Sequence, residues 1–157
     1  MKNFFRFILA IVISFIPGIT GMLFSPHGNS DLWYNTLNKP ILTPDGWVFA
    51  VAWTILYALL GISLYLIISN DKTRQSKTKA YVLFFIQMVL NALWSYLFFG
   101  LHLVSAALIT IILLIIFTFW MMRAFHPISR AASYLVWPYI LWLLFALYLN
   151  GAIMYLN

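Results

Sequence analysis

Long apolar segments alternate with short polar ones along the whole chain. A helix that crosses the hydrocarbon core of a bilayer needs about 20 predominantly apolar residues. Five segments reach this length, and apart from Arg6 none contains Asp, Glu, Lys or Arg; they are Phe4–Phe24, Gly46–Ser69, Ala80–Phe99, Leu103–Met122 and Ala131–Leu156. The pattern predicts an all-α integral membrane protein, in which residues 1–157 form a single bundle of five transmembrane helices.

The first apolar segment also resembles a secretory signal peptide, because Lys2 and Arg6 precede it. However, this apolar run is longer than the 7–15 residues typical of a signal-peptide core. A small-x-small cleavage site does not follow; Pro17-Gly18-Ile19-Thr20-Gly21 stands there instead. We therefore expect this segment to remain as the first helix of the bundle.

The basic residues are distributed unequally between the two ends of the predicted bundle. With five spans, the N-terminus and the second and fourth connections share one side. That side carries eight of the nine Lys and Arg residues, namely Lys2, Arg6, Lys72, Arg74, Lys77, Lys79, Arg123 and Arg130. The other side has only Lys39, in the long first connection Ser25–Asp45. Because cytoplasmic connections are enriched in Lys and Arg, this predicts a cell-membrane protein whose N-terminus is cytoplasmic and whose long loop and C-terminus lie outside.

Composition narrows the class of function. The chain is 64% hydrophobic and 8% charged, whereas a soluble domain has about 25% charged residues, so lipid is its natural solvent. The net charge of +6 comes from short segments between apolar runs, which favours membrane orientation over a nucleic-acid partner. The absence of Cys excludes disulfides and thiolate chemistry. The three His residues lack metal-ligand spacing, so we expect no metal site.

Polar and aromatic residues inside the predicted helices recur at helical spacing. Three sets each share one helix face: Gln87, Asn91 and Ser95; Tyr139, Trp142, Ala146 and Asn150; and Gly46, Ala50, Trp53 and Tyr57. With a rise of 1.5 Å per residue, Trp53 and Asn91 lie roughly 10–12 Å below the outer end, and Gln87 and Trp142 near the middle. These positions predict an apolar, aromatic-lined cavity with few polar anchors, beneath the long outer loop, as is usual for small-molecule sites.

Each of these residues also has an interpretation without a ligand. Trp at membrane interfaces commonly anchors a helix, and we interpret Trp47, Trp120 and Trp137 in this way. Trp53 and Trp142 lie too deep for such anchoring, so they are either core or ligand contacts. Gln87 and Asn91 are either interhelical hydrogen-bonding residues or ligand contacts. The sequence has no Ser-His-Asp set or phosphate-binding loop, so it contains no conventional catalytic constellation. It also has no carboxylate within the predicted spans to relay protons or ions, which disfavours a pump or an ion channel.

Three separated motifs combine tryptophans with other aromatic and polar residues. The first is Trp33-Tyr34-x-x-Leu37-x-Lys39-Pro40, followed by Pro44-x-Gly46 and Trp53. The second is Gln87-x-x-x-Asn91-Ala92-x-Trp94-Ser95-x-x-Phe98-Phe99. The third is Pro138-Tyr139-x-x-Trp142-x-x-Phe145-Ala146-x-x-Leu149-Asn150. They occur in order and span most of the chain, and together they resemble the TspO/MBR family of tryptophan-rich sensory proteins, which are related to the mitochondrial translocator protein.

This resemblance implies a five-helix bundle, often dimeric, that binds tetrapyrroles such as protoporphyrin IX in an aromatic-lined cavity, for transport, sensing or homeostasis of porphyrins. The implied ligand-binding residues are Tyr34, Pro44, Gly46, Trp53, Gln87, Asn91, Trp94, Trp142 and Ala146. No cofactor is required, since the porphyrin is ligand or substrate. An alternative implied by some bacterial members is an enzyme-like breakdown of protoporphyrin IX in light and oxygen, for which Trp53 and Trp142 would be the catalytic residues.

Overall fold

Helices make up most of the computed structural model, which describes residues 2–24, 32–71 and 74–157. These described residues form seven α-helices and one π-helical segment. The α-helices are α1 (Lys2–Met22), α2 (Leu32–Thr36), α3 (Gly46–Ile68), α4 (Arg74–Ser95), α5 (Val104–Phe125), α6 (Arg130–Tyr134) and α7 (Trp137–Leu156). The π-helical segment Tyr96–Gly100 continues α4 without a break.

Five helical stretches of the described chain are long and apolar enough to cross a membrane. They are Asn3–Met22, Gly46–Ile68, Lys77–Gly100, Val104–Phe125 and Arg130–Leu156. Large apolar side chains such as Ile55, Ile109 and Leu141 are 54–61% exposed on their outer faces, and exposed apolar surface of this extent belongs in lipid. The predicted all-α fold with five spanning helices is therefore confirmed, and the chain is a multi-pass membrane protein.

The last of these stretches is interrupted, which the hydropathy pattern did not predict. α6 ends at Tyr134 and α7 begins at Trp137. Pro138 lies in the first turn of α7. Because Pro has no backbone N–H and its ring crowds the preceding turn, an uninterrupted helix through this point is disfavoured, whereas Pro fits a first turn well.

The closest helix packing in the bundle joins α1 to α3, α4 to α5, and α5 to α7. Glycine permits the α1–α3 approach, since a Cβ atom at Gly61 would lie 3.0 Å from the Cα atom of Ile11. Near this crossing the hydroxyl of Ser14 donates a hydrogen bond to the backbone oxygen of Tyr57, at 2.8 Å. Small residues at close helix crossings are typical of membrane bundles.

The second and fourth connections are tied together at one end of the bundle. The buried Lys77 ammonium donates to the backbone oxygens of Ile68, at 3.3 Å, and Asn70. The side chain of Asn70 in turn donates to the backbone oxygen of Ile128, at 2.9 Å. A cation at the C-terminal end of α3 satisfies carbonyls that have no partner within the helix.

Candidate functional site

Four aromatic rings from α3 and α7 meet between the helices and form the inner aromatic cluster: Trp53, Tyr57, Tyr139 and Trp142. Trp53 stacks on Tyr57, with ring centroids 5.4 Å apart. Trp53 also meets Tyr139 edge-on at 6.1 Å and Trp142 edge-on at 6.4 Å. Spacings of four residues on α3 and three on α7 place each pair on one helix face. The cluster therefore joins two helices that are far apart in sequence.

Amides from α4 connect the tyrosines of this cluster by hydrogen bonds. The Tyr57 hydroxyl donates to Oδ1 of Asn91 at 2.8 Å, and Nδ2 of Asn91 donates to the Tyr139 hydroxyl oxygen at 2.7 Å. The Tyr139 hydroxyl donates to Oε1 of Gln87 at 3.2 Å. Asn91 is 3% exposed and Gln87 is fully buried. Because polar groups in hydrocarbon are costly unless paired, this network fixes the rotation of α3, α4 and α7.

Two buried donors beside the network have no acceptor among the residues that the structure describes. They are Nε2 of Gln87 and the indole Nε1 of Trp142. A buried donor without a partner is destabilising, because the hydrogen bond that it makes to water is lost. An apolar molecule that brought hydrogen-bond acceptors to this cluster would satisfy both donors.

A second group of rings lies at the C-terminal end of α4 and the π-helical segment that follows it. It forms the outer aromatic cluster: Trp33, Tyr34, Trp94, Phe98 and Phe99. Trp94 stacks on Phe98 at 5.3 Å, and Tyr34 meets Phe99 edge-on at 5.7 Å. The ammonium of Lys39 lies 4.3 Å from the Tyr34 ring centroid, within cation–π distance. Partial burial raises the pKa of the Tyr34 phenol above its ordinary value.

The outer cluster is also attached to the α4–α5 hairpin and to α7. His102 stacks on Trp33 at 4.0 Å, with a φ of 58°, a left-handed value that non-glycine residues seldom adopt. The Trp94 indole N–H donates to Oδ1 of Asn150 at 3.0 Å, and Nδ2 of Asn150 donates to the backbone oxygen of Val104 at 3.1 Å. Trp94 is thus held in place by a hydrogen bond, whereas the Trp142 indole makes none to the residues described here.

The residues predicted as ligand-binding therefore fall into separate groups. Trp53, Gln87, Asn91 and Trp142 meet at the inner aromatic cluster, while Tyr34 and Trp94 belong to the outer one. Ala146 is buried on α7, four residues after Trp142 and four before Asn150, the hydrogen-bond partner of Trp94. Pro44 lies just before α3, and Gly46 is the first residue of that helix. A Cβ atom at Gly46 would meet no heavy atom within 4 Å. The structure does not bring all nine residues into one contact set.

Two surface grooves adjoin these clusters. The outer groove has a volume of about 520 Å³ and is lined by Trp33, Leu37, His102, Leu103, Val104, Ser105, Ala106, Ile153, Met154 and Asn157. The α3–α7 groove has a volume of about 480 Å³ and is lined by Ala52, Ile55, Leu56, Pro138, Leu141, Trp142 and Phe145. Only the second groove includes a residue of the inner aromatic cluster, Trp142.

Sequence reasoning placed Tyr57, Tyr139 and Asn150 on inward helix faces but did not assign them to the site. The structure makes both tyrosines members of the buried network, and makes Asn150 the partner of Trp94. A polar atom on an otherwise apolar helix was the available signal, because such an atom requires a partner in the bundle.

Comparison with known proteins agrees with these features. The sequence profile of the TspO/MBR family matches residues 8–156. The tryptophan-rich protein TspO of Chlorobaculum tepidum is 38% identical over 156 residues, covering 99% of this chain and 98% of the relative. Its namesake in Archaeoglobus fulgidus is 40% identical over 155 residues, covering 99% of each chain. The translocator protein of Bos taurus is 31% identical over 144 residues, covering 90% and 85%.

A profile match over nearly the whole chain, together with relatives that align from end to end, agrees with the five membrane-spanning helices and the ordered tryptophan motifs. On these grounds the chain is a member of the TspO/MBR family.

Proposed function

We propose that this protein binds tetrapyrroles of the protoporphyrin IX type, and similar flat apolar molecules, at the inner aromatic cluster. The observation that carries the proposal is the contact of Trp53 with Trp142 inside a membrane bundle, where the Trp142 indole N–H and the nearby Gln87 amide have no acceptor among the described residues. Aromatic faces suit a planar macrocycle, and a small number of polar groups suffices to orient it. Membership of the TspO/MBR family, whose members include tryptophan-rich sensory and translocator proteins, supports this class of ligand.

Binding between the two indoles requires them to separate. Their ring centroids lie 6.4 Å apart and their planes are nearly perpendicular, at 85°. A planar molecule stacked between two rings needs about 3.5 Å on each face, or about 7 Å in total. Ring rotation of Trp142 would provide this space, and its indole N–H and the Gln87 amide would then donate to acceptors on the ligand.

The ligand's charged groups have a suitable neighbour at the outer end of the bundle. Porphyrin carboxylates would point toward Lys39, whose ammonium lies over Tyr34 in the outer cluster. The chain has no Cys, and His102 stacks on Trp33 rather than on the inner cluster. These placements favour a metal-free porphyrin over a haem held by an axial ligand.

The proposal also includes the cellular location, the orientation and the role of the protein. The eight-to-one distribution of basic residues supports a cell-membrane location with the N-terminus in the cytoplasm and the long loop and C-terminus outside. Porphyrin transport, sensing or homeostasis are roles that a lipid-embedded binding site can serve, alone or as a homodimer.

Titration of the purified protein with protoporphyrin IX tests the binding directly. We expect saturable binding, read from the porphyrin absorption band, that weakens at least about tenfold in the double variant Trp53→Phe with Trp142→Phe. A matched double variant, Trp47→Phe with Trp120→Phe, removes two exposed indoles and should bind as the wild type does. Equal affinities for the two double variants would contradict the proposed site.

A second candidate function is oxidative breakdown of the bound porphyrin in light and oxygen. One observation favours it: Trp53 contacts both Tyr57 and Trp142, which places three oxidisable rings in sequence beside the proposed ligand position. Aerobic illumination should then bleach porphyrin bound to the wild type faster than porphyrin bound to the Trp53→Phe variant, at equal occupancy. An unchanged porphyrin spectrum under these conditions argues for binding alone.

A further inference from the structure

The α3–α7 groove opens on the lipid-facing side of the bundle and is lined by aliphatic and aromatic residues. Its rim residues Ile55 and Leu141 are 54% and 61% exposed. Small or short groups at Ala52 and Pro138 deepen it, and its volume of about 480 Å³ lies within the range of small-molecule sites. A hydrophobic molecule dissolved in the bilayer can therefore reach this groove without crossing water.

The seam between α3 and α7 is loosely held at this groove. α3 packs closely on α1 and on the short α6, but α3 and α7 are not among the closely packed helix pairs. Both helices lie wholly within the described residues, and no hydrogen bond joins one directly to the other. The bonds that link them pass through Asn91 on α4, behind the rings. The lipid side of the seam is closed by side-chain contacts alone.

Trp142 lies between the groove and the other three rings of the inner aromatic cluster. One side of this residue lines the groove, and its ring contacts Trp53 at 6.4 Å and Phe49 at 5.9 Å. Its indole N–H has no partner in the described part of the chain, unlike that of Trp94, which is bonded to Asn150. Rotation of the Trp142 ring therefore breaks no hydrogen bond, and it would connect the groove with the cluster.

The opposite approach, past the long loop, is fastened by hydrogen bonds. The side chain of Asn157 accepts from the backbone N–H of Asn38 at 2.9 Å and donates to the backbone oxygen of Asn38 at 3.1 Å. The Asn38 side chain donates to the backbone oxygen of Leu156 at 3.3 Å. Opening the loop at this point breaks three bonds, whereas rotating the Trp142 ring on the lipid side of the seam breaks none.

We propose that the ligand enters and leaves the inner aromatic cluster sideways from the bilayer, through the α3–α7 groove, with Trp142 as the gating ring. The occupant of the groove is the flat apolar ligand in transit, because the groove and the proposed binding cluster share Trp142 as a common wall. This inference rests on the proposed function, since it assigns a route to the same site.

Stopped-flow measurement of protoporphyrin IX binding tests the route. The porphyrin is preloaded into lipid nanodiscs, and its binding is followed by porphyrin absorbance. Ile55→Trp narrows the groove without altering the cluster, and Ile109→Trp adds the same ring to an equally lipid-exposed site on α5. We expect Ile55→Trp to slow association and dissociation by a similar factor, about tenfold, with the equilibrium Kd changed less than twofold. Ile109→Trp should match the wild type in both rates.

The outcomes separate the two proposals. Wild-type rates in Ile55→Trp overturn the lateral route and leave tetrapyrrole binding intact. A weaker Kd with unchanged association shows that the groove is itself a binding surface, which also overturns the route. Absence of saturable binding to the wild type overturns the proposed function and the route together.

A cross-link provides a second test that does not depend on filling the groove. The natural chain has no Cys, so the pair Ala52→Cys with Leu141→Cys can be joined selectively by a short bis-maleimide. Joining the helices should slow porphyrin entry by about tenfold relative to the same variant capped with a monofunctional maleimide. Equal entry rates for the joined and capped proteins overturn the route.

Discussion

Asn91 is the residue whose replacement tests the buried network most directly. In Asn91→Leu the side-chain volume is nearly retained, while the acceptor for Tyr57 and the donor to Tyr139 are both lost. Interhelical hydrogen bonds in membrane bundles average about 0.6 kcal/mol and reach about 1.7 kcal/mol. The Tyr57 hydroxyl, on a side chain only 5% exposed, is then left without an acceptor. Two lost bonds and a buried orphan donor give an expected destabilisation of about 2 kcal/mol.

A double-mutant cycle separates the hydrogen bond from a packing effect. Tyr57→Phe alone should cost about 1 kcal/mol, because it removes one of the two bonds to Asn91. The double variant should cost about 2 kcal/mol rather than the 3 kcal/mol of the sum, a coupling of about 1 kcal/mol. Reversible unfolding in mixed micelles, followed by circular dichroism against the SDS mole fraction, measures each free energy.

The matched control is Tyr65→Phe on the same helix. Tyr65 packs edge-on against Phe7 at 5.4 Å, and its hydroxyl makes no hydrogen bond to the part of the chain that the structure describes. Its cost should add to that of Asn91→Leu within about 0.5 kcal/mol. If Tyr57→Phe were equally additive, Asn91 would not be energetically coupled to Tyr57, contrary to the hydrogen bond between them.

Two further predictions concern helix packing and orientation. Gly61→Ala should destabilise the bundle by about 1–3 kcal/mol, because its Cβ would press on α1 backbone at 3.0 Å; Gly151→Ala, whose Cβ would have its nearest contact at 3.8 Å, should be neutral or slightly stabilising in the same unfolding assay. In the naturally Cys-free chain, a membrane-impermeant maleimide applied to intact cells should label Asn35→Cys but label His126→Cys only after lysis, and the reverse pattern would contradict the proposed orientation.

Hydropathy predicted the five spans because membrane crossing depends mainly on apolar length. It did not predict the interruption between Tyr134 and Trp137, since Leu135 and Val136 are as apolar as their neighbours. The signal for this interruption was Pro138, which cannot donate the hydrogen bond that a continuous helix requires there. Backbone chemistry, rather than hydrophobicity, decides such local breaks.

The candidate site was predictable only in part. Helical spacing identified the inward residues Trp53, Asn91 and Trp142, because polar and aromatic groups at mid-membrane depth favour the bundle interior. It did not separate Trp94 from them, although Trp94 lies in the outer cluster and is bonded to Asn150. Spacing along one helix gives the face of a residue, but its partners depend on the vertical offset between helices, which tertiary packing determines.

The role of α4 has a consequence for redesigning the ligand preference of this protein. α4 supplies the amides that hold α3 and α7 through Tyr57 and Tyr139, so under the proposed function its inward positions serve both architecture and ligand recognition. Replacing Gln87 or Asn91 to accommodate a different molecule would loosen the scaffold along with the specificity. A combinatorial library should therefore keep α4 constant and vary the lipid-facing wall at Ala52 and Leu141, where a new side chain changes the shape presented to a guest and removes no hydrogen bond.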